Sequence, residues 1–208
     1  PLSRRAFLKG AGGVAAAGSL AASPARHGGN GQAAIEAQAS EVPTLRGEVA
    51  VELRINGATQ KLKVQPRTTL LDALRTRLEP ALTGTKDVCG TGSCGACTVL
   101  IDGQPAYACL SLAATCVGRE VTTVEGLGTL EQLSDVQRAF CEEDGAMCGF
   151  CTPGFIVASH AALARCPAGD LDTLKVELSG NLCRCGTYPH IFNAVTRVQA
   201  ERAGASLK

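Results

Sequence analysis

The chain has 208 residues, 45% of them hydrophobic, enough for one large or two small domains with a core. Tryptophan is absent and aromatics make up only 3%, so small and aliphatic side chains must fill that core. The formal net charge is +1, but residues 1–46 carry five Arg/Lys against Glu36 and Glu41, which leaves residues 47–208 near −2; a slightly acidic body argues against nucleic acid as partner.

In chain order, Ser3-Arg4-Arg5-Ala6-Phe7-Leu8-Lys9 comes first, followed by an Ala/Gly-rich, weakly apolar run. This resembles a twin-arginine export signal. The run is too short and too broken by glycine to span a membrane. Ser23-Pro24-Ala25 offers a small-residue cleavage site, and residues 26–46, rich in Gly, Ala and Gln, read as a linker. The twin-arginine route carries folded proteins, so the signal predicts a periplasmic protein whose cofactors are installed before export.

From Glu48 the pattern alternates, with Val49, Val51, Leu53 and Ile55 on one face, then Asn56-Gly57, then Leu62 and Val64. That predicts a hairpin. Helical spacing runs from Thr69 to Leu78 and stops at Pro80. Next, "GTKDVCGTGSCGACTVLIDGQPAYAC" holds Cys89, Cys94, Cys97 and Cys109, spaced C-x4-C-x2-C with eleven residues before the fourth. This is the plant-type spacing for a [2Fe–2S] cluster. Gly90, Gly92 and Gly95 let the backbone wrap an anionic centre and turn N–H groups toward sulfur. A second hairpin at Asp102-Gly103 returns Cys109 to the fourth corner. A zinc ribbon is the competing explanation, though zinc favours two matched C-x2–4-C halves.

Val121–Val124 reads as a last strand, and Gly126 and Gly128 mark a boundary. Beyond it four helices are predicted, over Leu130–Phe140, Pro153–Ala164, Leu171–Leu178 and Pro189 to about Ala203, joined by short loops as in an antiparallel bundle. "MCGFCTPGF" carries Cys148 and Cys151, and "SGNLCRCGTYPH" carries Cys183 and Cys185. Cys183 and Cys185, one residue apart, are poorly placed for a disulfide with each other. Each pair immediately precedes a helix, with Thr152, and Thr187 or Tyr188, as caps before Pro153 and Pro189. Two helix N-termini would then aim N–H groups at four thiolates. The spacing predicts a second cluster, with zinc again the alternative.

"GTKDVCGTGSCGACTVLIDG", "MCGFCTPGF" and "SGNLCRCGTYPHI", in this order, resemble the iron–sulfur subunit of the molybdenum hydroxylases, the xanthine dehydrogenase and aldehyde oxidoreductase family. The resemblance covers about residues 47–205. It implies an α+β chain: an export signal and linker over 1–46, a plant-type ferredoxin-like β-grasp domain over 47–125, and a four-helix-bundle domain over 126–208. Each domain would hold one [2Fe–2S] cluster, the first on Cys89, Cys94, Cys97 and Cys109, the second on Cys148, Cys151, Cys183 and Cys185. It further implies a large molybdopterin-binding subunit beside the helical cluster, and an FAD-binding or cytochrome c subunit that takes electrons from the other. Val88 stands where relatives usually have glycine, and Met147 where glutamine commonly precedes the second motif.

Within that family the export signal resembles the periplasmic aldehyde oxidoreductases, which implies aldehyde oxidation to a carboxylic acid, with hydroxylation of an N-heterocycle such as isoquinoline or nicotinate as the rival. A free-standing ferredoxin-like carrier would explain the first quartet but not the second. Cys116, Cys141 and Cys166 fit neither quartet and read as buried small hydrophobes. His27, His160 and His190 form no ligand pattern, and no nucleophile–base arrangement is present. Substrate chemistry is expected in a partner, with no catalytic residue here.

Overall fold

The structure is a computed structural model that describes residues 46–204. The twin-arginine motif, the cleavage site, His27 and the linker as far as residue 45 lie outside the described residues. Alternation makes β1 (Val49–Ile55) and β2 (Ala58–Val64), paired antiparallel from Val49↔Val64 to Ile55↔Ala58. Asn56 and Gly57, at φ 52° and 79°, turn the hairpin, as a two-residue loop matched to strand twist requires. Helix α1 opens over Leu70–Asp72, capped by the Thr69 hydroxyl, and continues over Ala73–Arg77 as a wider π-helical turn.

A second hairpin joins β3 (Thr98–Ile101) to β4 (Gln104–Tyr107). The last strand, β5 (Glu120–Thr122), inserts between the two hairpins, parallel to β1 and antiparallel to β3, giving the order β2-β1-β5-β3-β4. All four β3 residues are buried. Val99 and Ile101 join the sheet core, while Leu100 packs against Val157 and Ala161 of the helical half.

Four further helices follow: α2 (Asp135–Glu142), α3 (Thr152–Arg165), α4 (Leu171–Glu177) and α5 (Tyr188–Arg202). The expected start of α2 at Leu130 is corrected to Asp135. Ser134 accepts from the Gln137 backbone N–H while the Gln137 side chain reaches back to Ser134, a capping box that fixes the first turn. Phe140, Phe155, Leu163, Leu174, Ile191 and Val195 share one core. Phe155 is fully buried and meets Tyr188 edge-on; truncating it to alanine would cost about 3–5 kcal/mol. Ion pairs tie α2 to α5, among them Arg202–Asp135 at 2.7 Å and Arg138–Glu201 at 2.9 Å. Residues 46–204 belong to one compact unit, and no described helix is long and apolar enough to cross a membrane.

Candidate metal centres

The eight predicted cysteines fall four in the sheet half and four in the helical half, and within each half their side chains meet in twos. In the sheet half, Cys97 lies just before β3 and Cys109 just after β4. Their side chains lie close together, and both residues are buried, while the Ala108 N–H donates to the Cys97 carbonyl at 3.2 Å. Cys89 and Cys94 form the second, half-buried pair on the loop leading to β3. In the helical half Cys151 meets Cys183, both buried, and Cys148 meets Cys185, both exposed. The pairs of one half lie within reach of one another's charge.

This two-by-two arrangement suits a centre of two irons, each taking two thiolates. A tetrahedral zinc site would draw four sulfurs to one ion.

The backbone is arranged for negative sulfur. In the sheet half Gly90, Gly92 and Gly95 all adopt positive φ, and the Thr91 N–H donates to Cys89 Sγ at 3.5 Å. The Thr91 N–H leads the contacts that bring the Cys89 thiol down to about 6. Burial pushes Cys97 up to about 12. In the helical half the same division recurs. Burial would raise Cys183, but N–H groups of Thr187, Cys185 and Gly186 outweigh it and lower the thiol, while burial drives its partner Cys151 up to about 12. The Phe150 N–H lowers Cys148, and the contact with Cys148 raises Cys185. Backbone N–H groups thus favour the thiolate form at Cys89, Cys148 and Cys183.

The expected helix caps are corrected. Cys151, not Thr152, occupies the N-cap of α3, and Thr187 occupies that of α5; neither side chain bonds the helix. The hydroxyls of Thr152 and Thr187 are buried without a partner. Uncapped ends leave N–H groups for the sulfurs, which a serine-type cap would have claimed.

Comparison with known proteins agrees with this arrangement. Residues 53–121 match the 2Fe-2S iron-sulfur cluster binding domain, residues 123–196 the [2Fe-2S] binding domain, and residues 1–21 the TAT (twin-arginine translocation) pathway signal sequence. The aldehyde oxidoreductase iron-sulfur-binding subunit PaoA of Escherichia coli O157:H7 is 44% identical over 164 residues, which are 72% of this chain and 71% of that one. Quinoline 2-oxidoreductase from Pseudomonas putida 86 superposes with TM-score 0.70 at 41% identity, over 76% of this chain and 99% of that chain. The aldehyde oxidoreductase from Desulfovibrio desulfuricans ATCC 27774 does so with TM-score 0.70 at 37% identity, over 74% of this chain but 17% of that chain.

The chain belongs to the iron–sulfur subunits of the molybdenum hydroxylases. It carries two 2Fe-2S domains and a twin-arginine signal for export to the periplasm. Val88 has no left-handed φ, so the loop takes its side chain without strain. Met147 is 70% exposed and offers no hydrogen-bond donor at its tip. With Phe150 and Leu182 it gives the helical site an apolar rim, while Val88 and Leu110 flank the sheet site.

Three contributors escaped the sequence reading. The Tyr188 hydroxyl accepts from the Cys183 N–H at 2.8 Å, and Asn181 and Tyr107 join the two halves. Only the position of Tyr188 beside Pro189 hinted at a role. Of the unassigned cysteines, Cys116 is a core residue, whereas Cys141 is exposed and Cys166 half-buried, which corrects their reading as buried hydrophobes. Cys141 falls on the solvent side of α2, whose buried face is Val136, Ala139 and Phe140. His160 is half-buried, and His190 meets the Glu143 carbonyl at 2.9 Å.

Proposed function

We propose that residues 47–125 form a ferredoxin-like β-grasp domain whose Cys89, Cys94, Cys97 and Cys109 hold one [2Fe–2S] centre. Residues 126–208 then form a four-helix-bundle domain whose Cys148, Cys151, Cys183 and Cys185 hold the other, and 1–46 serve as export signal and linker. When bound, each centre supplies storage for one electron. The chain's residues hold its irons by thiolate, offset its charge with backbone N–H groups, and shield one edge from water.

The observation that carries this reading is the division of each quartet into an inward and an outward pair. Cys97 and Cys109, like Cys151 and Cys183, are buried; Cys89 and Cys94, like Cys148 and Cys185, lie further out. Each site thus has one edge open toward a partner, as a relay between two partners requires and an isolated structural site does not. The helical site, with its apolar rim, faces a large molybdopterin-binding subunit. That a longer relative holds the matched stretch within a single chain supports such an assembly. The sheet site faces the electron acceptor, an FAD-binding or cytochrome c subunit.

The substrate we propose is an aldehyde, oxidised to the carboxylic acid by the large subunit, because an aldehyde oxidoreductase subunit is 44% identical. Hydroxylation of an N-heterocycle is the second reading, favoured by the 41% identity to a quinoline oxidoreductase. The test is to mix the purified complex anaerobically with benzaldehyde or with nicotinate and follow cluster bleaching. Fast bleaching by the aldehyde is expected. Bleaching by nicotinate alone would move the assignment to the heterocycle, and purification as a lone, fully loaded chain would replace both with a free carrier.

A further inference from the structure

The two cysteine loops are fastened to each other by three successive residues. The Gly180 carbonyl accepts from the Tyr107 hydroxyl at 3.0 Å. Asn181 is 6% exposed, and its Nδ2 donates to the Gly95 carbonyl at 2.9 Å and to Thr98 Oγ1 at 3.3 Å. The Leu182 N–H donates to the Cys94 carbonyl at 2.9 Å. Cys94 and Gly95 belong to the sheet-half loop, whereas Leu182 immediately precedes Cys183 of the helical half.

The approach is as close as backbone allows. A Cβ on Gly95 would stand 2.5 Å from the Gly180 carbonyl and 2.6 Å from Asn181 Nδ2, and Gly95 is held at φ 71°. Gly154, three residues after Cys151 in the first turn of α3, presses on the Gly95 carbonyl with equally little room for a side chain. The seam therefore lies within three residues of Cys94 and Cys97 on one side and of Cys151 and Cys183 on the other. Asn181 is its one buried side-chain amide, and its own N–H is anchored to the Leu178 carbonyl at 3.0 Å.

We infer that Asn181 is a positioning residue that fixes the separation of the two cysteine quartets, and through it the rate at which one centre is oxidised as the other is reduced. The inference rests on the reading of the quartets as two [2Fe–2S] centres. The step moves one electron and neither makes nor breaks a bond. Electron tunnelling weakens exponentially with distance and benefits from bonded contact, so a seam that holds backbone against backbone favours it. Residues that orient ligands without touching the metal are worth about 10–100-fold in function in other metal sites. Asn181 acts one step further out, through Gly95 and the turn before Cys183.

The test uses the complex with its partner subunits. Asn181→Ala removes both donors while Thr98 still satisfies the Gly95 carbonyl through its N–H and hydroxyl. Asn181→Asp keeps the size and loses the donors. Both should retain iron, labile sulfide and two separate electron paramagnetic resonance signals. The splitting of those signals by spin–spin interaction between the reduced centres should shrink, and electron redistribution after rapid mixing should slow about tenfold or more. Tyr107→Phe, which keeps the ring, should show the same change at smaller size, and it decides the matter should the Asn181 variants lose a centre. Wild-type splitting and redistribution in Tyr107→Phe and in every loaded Asn181 variant would overturn the inference. A wild-type complex without two signals would instead defeat the two-centre reading beneath it.

Discussion

The two cysteine quartets carry out one task with different backbones. The sheet-half quartet draws three cysteines from a single irregular loop bent by glycine, and a fourth from the turn after β4. The helical-half quartet sits on two short approaches to α3 and α5, whose uncapped ends supply N–H groups. A loop must gain its shape from residues that tolerate positive φ and close contact, and it stays in place only where it is tied down. Helix ends bring their polarity with them but depend on the core behind them. The sheet-half site is therefore vulnerable in its glycines, and the helical-half site in its packing.

The largest expected effects separate the quartets directly. Cys94→Ser and Cys185→Ser each remove a sulfur from a different quartet, and each should cost or perturb one centre only. A lost centre would drop labile sulfide by about half, as expected for two [2Fe–2S] centres per chain. Sulfide analysis with electron paramagnetic resonance reads the outcome; loss of both signals from either variant would break the division between the sites. If the helical site takes electrons first, the Cys94 variant should still show rapid reduction of that centre by substrate while turnover with the external acceptor fails.

A smaller effect tests the glycine loop. Gly95→Ala meets the Gly180 carbonyl and Asn181 as well as a positive φ, whereas Gly90→Ala, at φ 63°, meets nothing within 4 Å. Gly90→Ala should cost only the strain of a left-handed residue, about 1–2 kcal/mol. Gly95→Ala should cost clearly more, and should lower the melting temperature of the loaded protein further. Equal costs would mean that the seam is looser than described.

The smallest effect concerns acid. The Arg202 guanidinium holds Asp135 below its ordinary value of 3.8, and Arg197 and Arg138 hold Glu201 below 4.5. A lowered carboxyl contributes stability that is present above its ordinary value and lost as pH falls through the lower, folded value. His160, lowered by burial with Arg202 beside it, acts in the same direction, since protonation below its ordinary 6.5 opposes folding. The helical half should thus weaken on acidification. Because these groups are about one-third exposed, the Arg202–Asp135 pair is worth about 1 kcal/mol or less. Unfolding of Arg202→Ala at pH 7 and pH 4 measures it; a larger deficit at pH 4 than at pH 7 would contradict the sign.

Much of this was legible in the sequence because it is local. Alternation about Asn56-Gly57 gave the first hairpin its register, and the short cysteine spacings marked the loops that lead into β3, α3 and α5. What escaped was long-range or competitive. The insertion of β5 between β1 and β3 depends on pairing across more than sixty residues, as the Arg54↔Glu120 register shows. The α2 start was misplaced because the capping pair Ser134 and Gln137 outranked the apolar Leu130 and Leu133. Thr152 looked like a cap by residue type, but Cys151 took the position and left the threonine hydroxyl without a partner. Asn181 carries no local signature at all, since its partners Gly95 and Thr98 lie more than eighty residues away.

The central claim is that both quartets hold a two-iron centre. Acid-labile sulfide on the anaerobically purified complex tests it most directly, because haem iron in a partner adds none. The account predicts about four sulfides per copy of this chain, and two distinct electron paramagnetic resonance signals on reduction. About two sulfides with a single signal, or zinc in place of sulfide, would contradict it.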